Sequence, residues 1–185
     1  MKRDPALVPL SREHTQGLIM ALRIERELPE ADEKGIRLLY SDLIAFWSRG
    51  LLPHFRTENE CLLARLVRHV DQEDELIRRT QREHLSMEAL VATMREAEAI
   101  EERRDALAQF GASLRDHIRW EEDVLFSETE RLLGRGEMTA LGGEIGERQR
   151  AEANLLASEE KYRRLFEDSR DVIYITAPDG QIIDI

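Results

Sequence analysis

The chain has 185 residues, enough for one full domain and part of another. Its composition, 42% hydrophobic, 35% charged and only 5% aromatic, favours long amphipathic helices over a β-rich fold. The net charge of -11 argues against a nucleic-acid partner, and the single cysteine, without a signal peptide or a bilayer-spanning apolar run, predicts a cytoplasmic protein.

Apolar periodicity predicts four long helices before residue 134, at about 11–27, 33–69, 71–97 and 100–133. Ser11 is the expected N-cap of the first helix, and Asp71 or Asp74 that of the third. Gly50 and Pro53 predict a kink in the second helix, because the periodicity resumes beyond them. Short connections then give an all-α fold, an antiparallel four-helix bundle over residues 1–134.

The rest of the chain differs in pattern. Residues 134–146 are rich in glycine, and residues 151–166 are again helical and highly charged. We therefore predict a linker and helix over residues 135–168. The segment 172–185 reads as two strands joined by a turn at Pro178-Asp179-Gly180, which predicts a short β-hairpin.

Four of the five histidines follow a repeated pattern. His54 precedes Glu58 by four residues, and His117 precedes Glu121 by four, with matching flanking residues. Side chains four apart share one helix face. The remaining pair, His14 and His84, each follow Arg-Glu. The order His, then His-x-x-x-Glu, thus occurs twice, which indicates an internal duplication and a twofold site suited to two equivalent metals.

A single His-x-x-x-Glu on a helix is ordinarily a surface pair. Two copies with matching flanks, each preceded by Glu-His on the previous helix, favour metal binding instead. His69 shares none of this context and is expected to be solvated or paired with a helix end. Cys61 is expected to be a buried apolar filler.

These residues resemble the hemerythrin-like (HHE cation-binding) family over about Leu7 to Leu133. The resemblance is strongest at 52–58 (Leu-Pro-His-Phe-Arg-x-Glu) and 117–126 (His-Ile-Arg-x-Glu-Glu-x-x-Leu-Phe). It implies a non-haem di-iron centre with an oxo or hydroxo bridge, in which manganese could replace iron. The implied terminal ligands are His14, His54, His84 and His117, with Glu58 as one bridging carboxylate.

The second bridging carboxylate has two candidates. The internal repeat indicates Glu121, whereas the family pattern places this carboxylate five residues after its histidine, at Glu122. We favour Glu122 because the resemblance is the more specific guide.

The chain departs from oxygen-carrying hemerythrins after His84. Those proteins have a further histidine one turn later, where this chain has Glu88. Glu88 is either an additional ligand or a solvated carboxylate. Without the fifth histidine, two coordination positions of a pair of octahedral irons stay open to water, Glu88 or an exogenous ligand. This weakens simple oxygen carriage and favours sensing, or reaction with oxygen, peroxide or nitric oxide.

Residues 147–185 resemble a signalling helix followed by the start of a PAS domain, truncated at residues 169–185. The resemblance implies a piece of a longer signalling protein, with PAS modules downstream and a possible homodimer through the linker helix; the alternative is a short natural tail. We predict a sensory binding domain for oxygen, redox state or nitric oxide rather than an enzyme. The competing functions are a di-iron oxidase or peroxide-reactive enzyme, an oxygen or iron storage protein, and a metal-free helical interaction module.

Overall fold

A computed structural model describes residues 3–167, 175–176 and 182–184, with side-chain surroundings through residue 164. Its helices are α1 (Val8–Glu27), α2 (Glu33–Phe46), α3 (Leu52–Thr57), α4 (Ala64–Leu66), α5 (Glu75–Glu96), α6 (Ile100–Trp120), α7 (Phe126–Leu132) and α8 (Arg135–Glu167). A 3₁₀ turn covers Leu28–Glu30, and π-helical segments cover Trp47–Leu51, Glu58–Leu63 and Glu121–Leu125.

Four helical rods form the predicted bundle, and the all-α fold is confirmed. The rods are α1, the run 33–66, α5 and the run 100–132. Both α1 and α5 pack along α6. Gly111 permits a close approach, because a Cβ there would lie 3.0 Å from Cγ2 of Ile24 on α1. No helix among the described residues is both long and apolar enough to cross a membrane.

The second rod continues through Pro53, as predicted. Proline has no backbone N–H to donate to the preceding turn. The turn just before it is π-helical, and Leu52 N donates to the carbonyl of Trp47, five residues earlier. The wider turn accommodates the proline without ending the rod.

The structure fixes two helix starts that the pattern left open or misplaced. The predicted N-cap at Ser11 is wrong: α1 begins at Val8, with Pro9 in its first turn. The helix begins earlier because Leu7 and Leu10 are buried in the core. For α5 the structure selects Asp74 over Asp71, since the Asp74 carboxylate accepts from the N–H of Leu76.

Residues 135–146 of the glycine-rich segment are helical. They form the first part of α8, in which Met138, Leu141 and Ile145 are buried. Gly142 allows this packing, because a Cβ there would lie 3.1 Å from the backbone of Ala6. The first compact unit accordingly extends through Gly146, beyond the predicted boundary at residue 134.

The second unit comprises Glu147–Ile185. It contains the rest of α8 and two short strands, β1 (Ile175–Thr176) and β2 (Ile182–Asp184), which pair antiparallel. The predicted turn at Pro178-Asp179-Gly180 lies outside the described residues, so the hairpin and the PAS start stay predictions.

Candidate metal centre

Each of the four rods contributes one buried histidine. His14 lies on α1, His54 on α3, His84 on α5 and His117 on α6, and each is at most 4% exposed. The rings of His14 and His54 lie 4.8 Å apart, and those of His84 and His117 lie 4.9 Å apart. The two halves of the sequence repeat therefore meet in the middle of the bundle.

Two fully buried glutamates lie between these histidine pairs. Glu58 and Glu121 are both 0% exposed, and each begins a π-helical segment. Such segments recur at functional sites because they redirect side chains within a helix. The structure thus repeats the arrangement of histidine, one helical turn, glutamate and π-turn in both halves of the bundle.

Each carboxylate faces both histidine pairs. Oε1 of Glu58 lies 3.3 Å from Nε2 of His54, and Oε2 lies 3.3 Å from Nε2 of His84. Oε2 of Glu121 lies 3.1 Å from Nε2 of His14, and Oε1 lies 3.3 Å from Nε2 of His117. In each glutamate, one oxygen therefore faces the first histidine pair and the other oxygen faces the second pair, which is the arrangement that a bridging carboxylate needs.

The inward atoms of these six side chains have no hydrogen-bond partner. This holds for Nε2 of all four histidines and for both oxygens of Glu58 and Glu121. Buried polar atoms are nearly always hydrogen-bonded, because burial without a partner costs about 1–3 kcal/mol each. Eight unpartnered donor atoms in one place are the arrangement expected of a site that can hold a cation.

The donor atoms form two overlapping groups that could each hold a metal ion. We call the group His14, His54, Glu58 and Glu121 the first position, and the group His84, His117, Glu58 and Glu121 the second position; in each, the ligand atoms lie within 4.8 Å of one another. Imidazole and carboxylate donors suit iron and other first-row divalent metals.

The preference for Glu122 as the second bridging carboxylate does not agree with this geometry. Glu122 is 29% exposed, and its Oε1 lies 2.7 Å from Nδ1 of His14, on the side of the ring facing away from the other ligands. The helical offset explains the difference, since four residues return a side chain to the same face and five do not. Glu121, which the internal repeat indicates, is the one of the two that lies in both candidate ligand groups.

All four Nδ1 atoms have acceptors on the outer side of the site. His54 donates to Glu13 (2.7 Å), His117 to Glu83 (2.8 Å), His14 to Glu122 (2.7 Å) and His84 to Asn59 (3.2 Å). We call these four residues the outer acceptors. They fix the tautomer that leaves Nε2 free for a metal. Sequence reasoning missed them, although the repeated Glu-His pairs at 13–14 and 83–84 were a signal for two of the four, Glu13 and Glu83.

Other residues considered from sequence lie apart from the centre. Glu88 is exposed and belongs to neither ligand group. His69 lies at the surface, where its Nε2 is 2.9 Å from Oε1 of Glu137. Cys61 is buried, as expected.

Aromatic rings hold two of the imidazoles in place. Phe55 stacks on His84 with ring centroids 3.8 Å apart, and Phe126 stacks on His14 at 5.3 Å. Both phenylalanines are buried. The rings restrict imidazole rotation and limit water around the ligands.

Without a metal, protons on the histidines balance the negative charges of the glutamates. Burial lowers the pKa of His14, but contacts with Glu121, Glu122 and Glu58 outweigh it and raise the pKa to about 11. Burial also lowers the pKa of His54, but its contacts with Glu58 and Glu13 outweigh this effect and raise that pKa to about 9. Burial raises the pKa of Glu58, whereas His54, His14 and His84 lower it well below its ordinary value. A metal must therefore displace protons from the imidazoles.

The metal-free protein should lose stability as pH rises above neutral. The pKa of His14 in the folded state is about 11, against an ordinary value of 6.5. Its contribution to the free energy of unfolding is therefore complete below pH 6.5 and is lost as pH rises through 11. The contribution of His54 is lost as pH rises through about 9. Urea unfolding of chelator-stripped protein between pH 6.5 and 10 measures this loss. Zinc-loaded protein is the control, since zinc replaces the protons. An unfolding free energy that stays constant or rises in the stripped protein would contradict the prediction.

The fold and the site together define a class of protein: a helical bundle whose buried imidazoles and carboxylates form a candidate cation site. Residues 8–133 match the hemerythrin HHE cation-binding domain family, and the chain belongs to it. Comparisons with curated proteins and with solved structures gave no match.

Proposed function

We propose that this chain is a non-haem di-iron sensory domain of a signalling protein, responding to oxygen, redox state or nitric oxide. The observation that carries the metal assignment is the set of eight buried, unpartnered donor atoms from four histidines and two glutamates. Two ligand groups that share both glutamates support two ions rather than one.

In this proposal, His14 and His54 would hold one iron, and His84 and His117 would hold the other. Glu58 and Glu121 would each offer a carboxylate oxygen to both ions, and manganese is the alternative metal. When bound, the metals supply redox chemistry and open positions for a small ligand. The protein's own contribution is to fix the imidazole tautomers through the outer acceptors and to keep the ligands in an apolar, aromatic-lined interior.

The packing around the site supports a sensory role. Phe126, which stacks on His14, belongs to the same buried cluster as Leu141 and Ile145 of α8. A displacement of the His14 ring on oxidation or ligand binding would therefore reach α8 through the packing of this cluster. The sequence beyond residue 147 resembles a signalling helix and PAS start, so we propose that α8 passes this change to downstream modules in a cytoplasmic protein.

The test combines metal analysis with hydrogen exchange. Protein loaded with ferrous iron under anaerobic conditions should contain two irons per chain and change its visible spectrum in air or with nitric oxide. Amide exchange in residues 135–146 should then differ by several-fold between the reduced, oxidised and nitric-oxide-treated forms, because these residues pack on the cluster that contains Phe126. Amides at the far ends of α5 and α6, near residues 94–102, serve as the internal control.

Variants separate the metal claim from the sensory claim. His54→Ala and His117→Ala should lose the spectrum, whereas His69→Ala should keep it, because His69 lies outside the ligand groups. Iron binding without any change in α8 would contradict sensing but leave a metal-binding domain. Sustained peroxide consumption by the loaded protein would favour the enzymatic alternative.

A further inference from the structure

The outer acceptors follow the same pseudo-twofold pattern as the ligands. Glu13 and Glu83 each precede a ligand histidine and accept from the histidine on the next rod. Asn59 and Glu122 each follow a central glutamate and accept from His84 and His14 respectively. The duplication therefore extends one layer outwards from the candidate ligands.

The pattern is broken at one pair. His14 donates to the Glu122 carboxylate at 2.7 Å, whereas His84 donates to the neutral amide oxygen of Asn59 at 3.2 Å. Glu122 and Glu83 each also accept from an arginine, Arg3 and Arg79, at 2.9 and 2.7 Å. Each position therefore includes a carboxylate paired with an arginine, so this pairing does not remove the difference between Glu122 and Asn59.

This difference changes the donor strength of the imidazoles. A carboxylate that accepts the outer N–H makes an imidazole a more basic metal ligand than an amide acceptor does. The first position has two such carboxylates, Glu122 and Glu13, and the second has only Glu83. Loss of an outer partner typically costs about 10–100-fold in metal affinity.

We propose that the two metal positions are inequivalent, and that the first position, with His14 and His54, binds a divalent metal before the second. This rests on the proposed metal centre and adds an order of occupancy to it. Glu122 is the positioning residue that sets this order, and Arg3 holds it in place.

Arg3 is suited to that holding role because it contacts Glu122 at two points. Its Nη2 donates to the backbone oxygen of Glu122 at 2.6 Å and to the carboxylate at 2.9 Å. Its guanidinium also lies 5.1 Å from the ring centroid of Phe126, which stacks on His14. The segment before α1 therefore contacts both groups that orient the His14 ring.

The test measures where a limiting amount of metal binds. The 185-residue chain is crystallised with half an equivalent of Mn(II), and anomalous scattering gives the occupancy of each position. We expect about tenfold higher occupancy at the first position. Glu122→Gln should bring the ratio close to one by weakening the first position. Asn59→Asp should do the same by strengthening the second, and Arg3→Ala should reduce the ratio partially.

Glu128→Gln is the matched control, because Glu128 pairs with Arg131 at the surface, away from the ligands. Equal occupancy in the unmodified protein, or a ratio that Glu122→Gln leaves unchanged, would overturn this inference while leaving the metal centre in place. Absence of metal at both positions, even with excess Mn(II) or anaerobic iron, would overturn the proposed function and this inference together. Circular dichroism verifies that each variant is folded.

Discussion

Replacing Glu121 with glutamine is expected to reduce the metal bound at saturation from two ions per chain to one or none. Glu121 is fully buried, and its two oxygens face His14 and His117, one in each position. The substitution preserves the shape of the side chain but removes an anionic ligand from both positions at once. Metal analysis after loading and gel filtration measures the loss.

Glu122→Gln provides the comparison for this result. Glu122 lies outside both ligand groups, so the variant should still bind two ions at saturation, with weaker binding at the first position. The reverse outcome, with two ions retained in Glu121→Gln and lost in Glu122→Gln, would restore Glu122 as the bridging carboxylate. The two residues are neighbours of the same type, so a general effect of the substitution cannot explain a difference between them.

Metal loading is expected to raise the melting temperature by roughly 10 °C. A ligand that binds only the folded state stabilises it by about 4 kcal/mol at a thousand times its dissociation constant. For a protein of this size, about 1 kcal/mol shifts the melting temperature by roughly 2–4 °C. The donor atoms come from four separate rods, so the unfolded chain does not reproduce the site. Calorimetry of stripped and zinc-loaded protein measures the shift.

A double variant, His54→Ala with His117→Ala, should melt at the same temperature with and without zinc, because each position loses one of its two histidines. His69→Ala should keep the full shift. Equal melting temperatures for stripped and loaded unmodified protein would contradict the prediction that the metal binds the native bundle.

The two halves of the repeated sequence build candidate positions that match in their ligands and differ in one outer acceptor. The two halves supply equivalent ligands, and the inner layer is close to symmetric in its distances. The difference between Asn59 and Glu122 lies in the outer layer, where we propose that it changes the basicity of a ligand without removing one. Changing an outer acceptor alters the relative metal affinities of two positions by less than replacing a ligand does.

The amino-acid pattern by itself determined the bundle and the inner histidines. Apolar periodicity and short connections require four packed helices, and the repeat of His with His-x-x-x-Glu places one histidine on each rod. Spacing of four along a helix also placed Glu58 beside His54. These features depend on local geometry, so they could be read without knowing how the rods pack.

Only the tertiary structure decided the remaining features. Whether Glu121 or Glu122 faces the centre depends on the rotation of one rod against three others, since the two neighbours point about 100° apart around the helix. Each outer acceptor lies on a different rod from the histidine that donates to it, so no spacing along the chain shows which two residues pair. The glycine-rich segment became helical because Met138, Leu141 and Ile145 pack on the buried Leu7 and Leu10. That burial outweighs the low helix propensity of glycine.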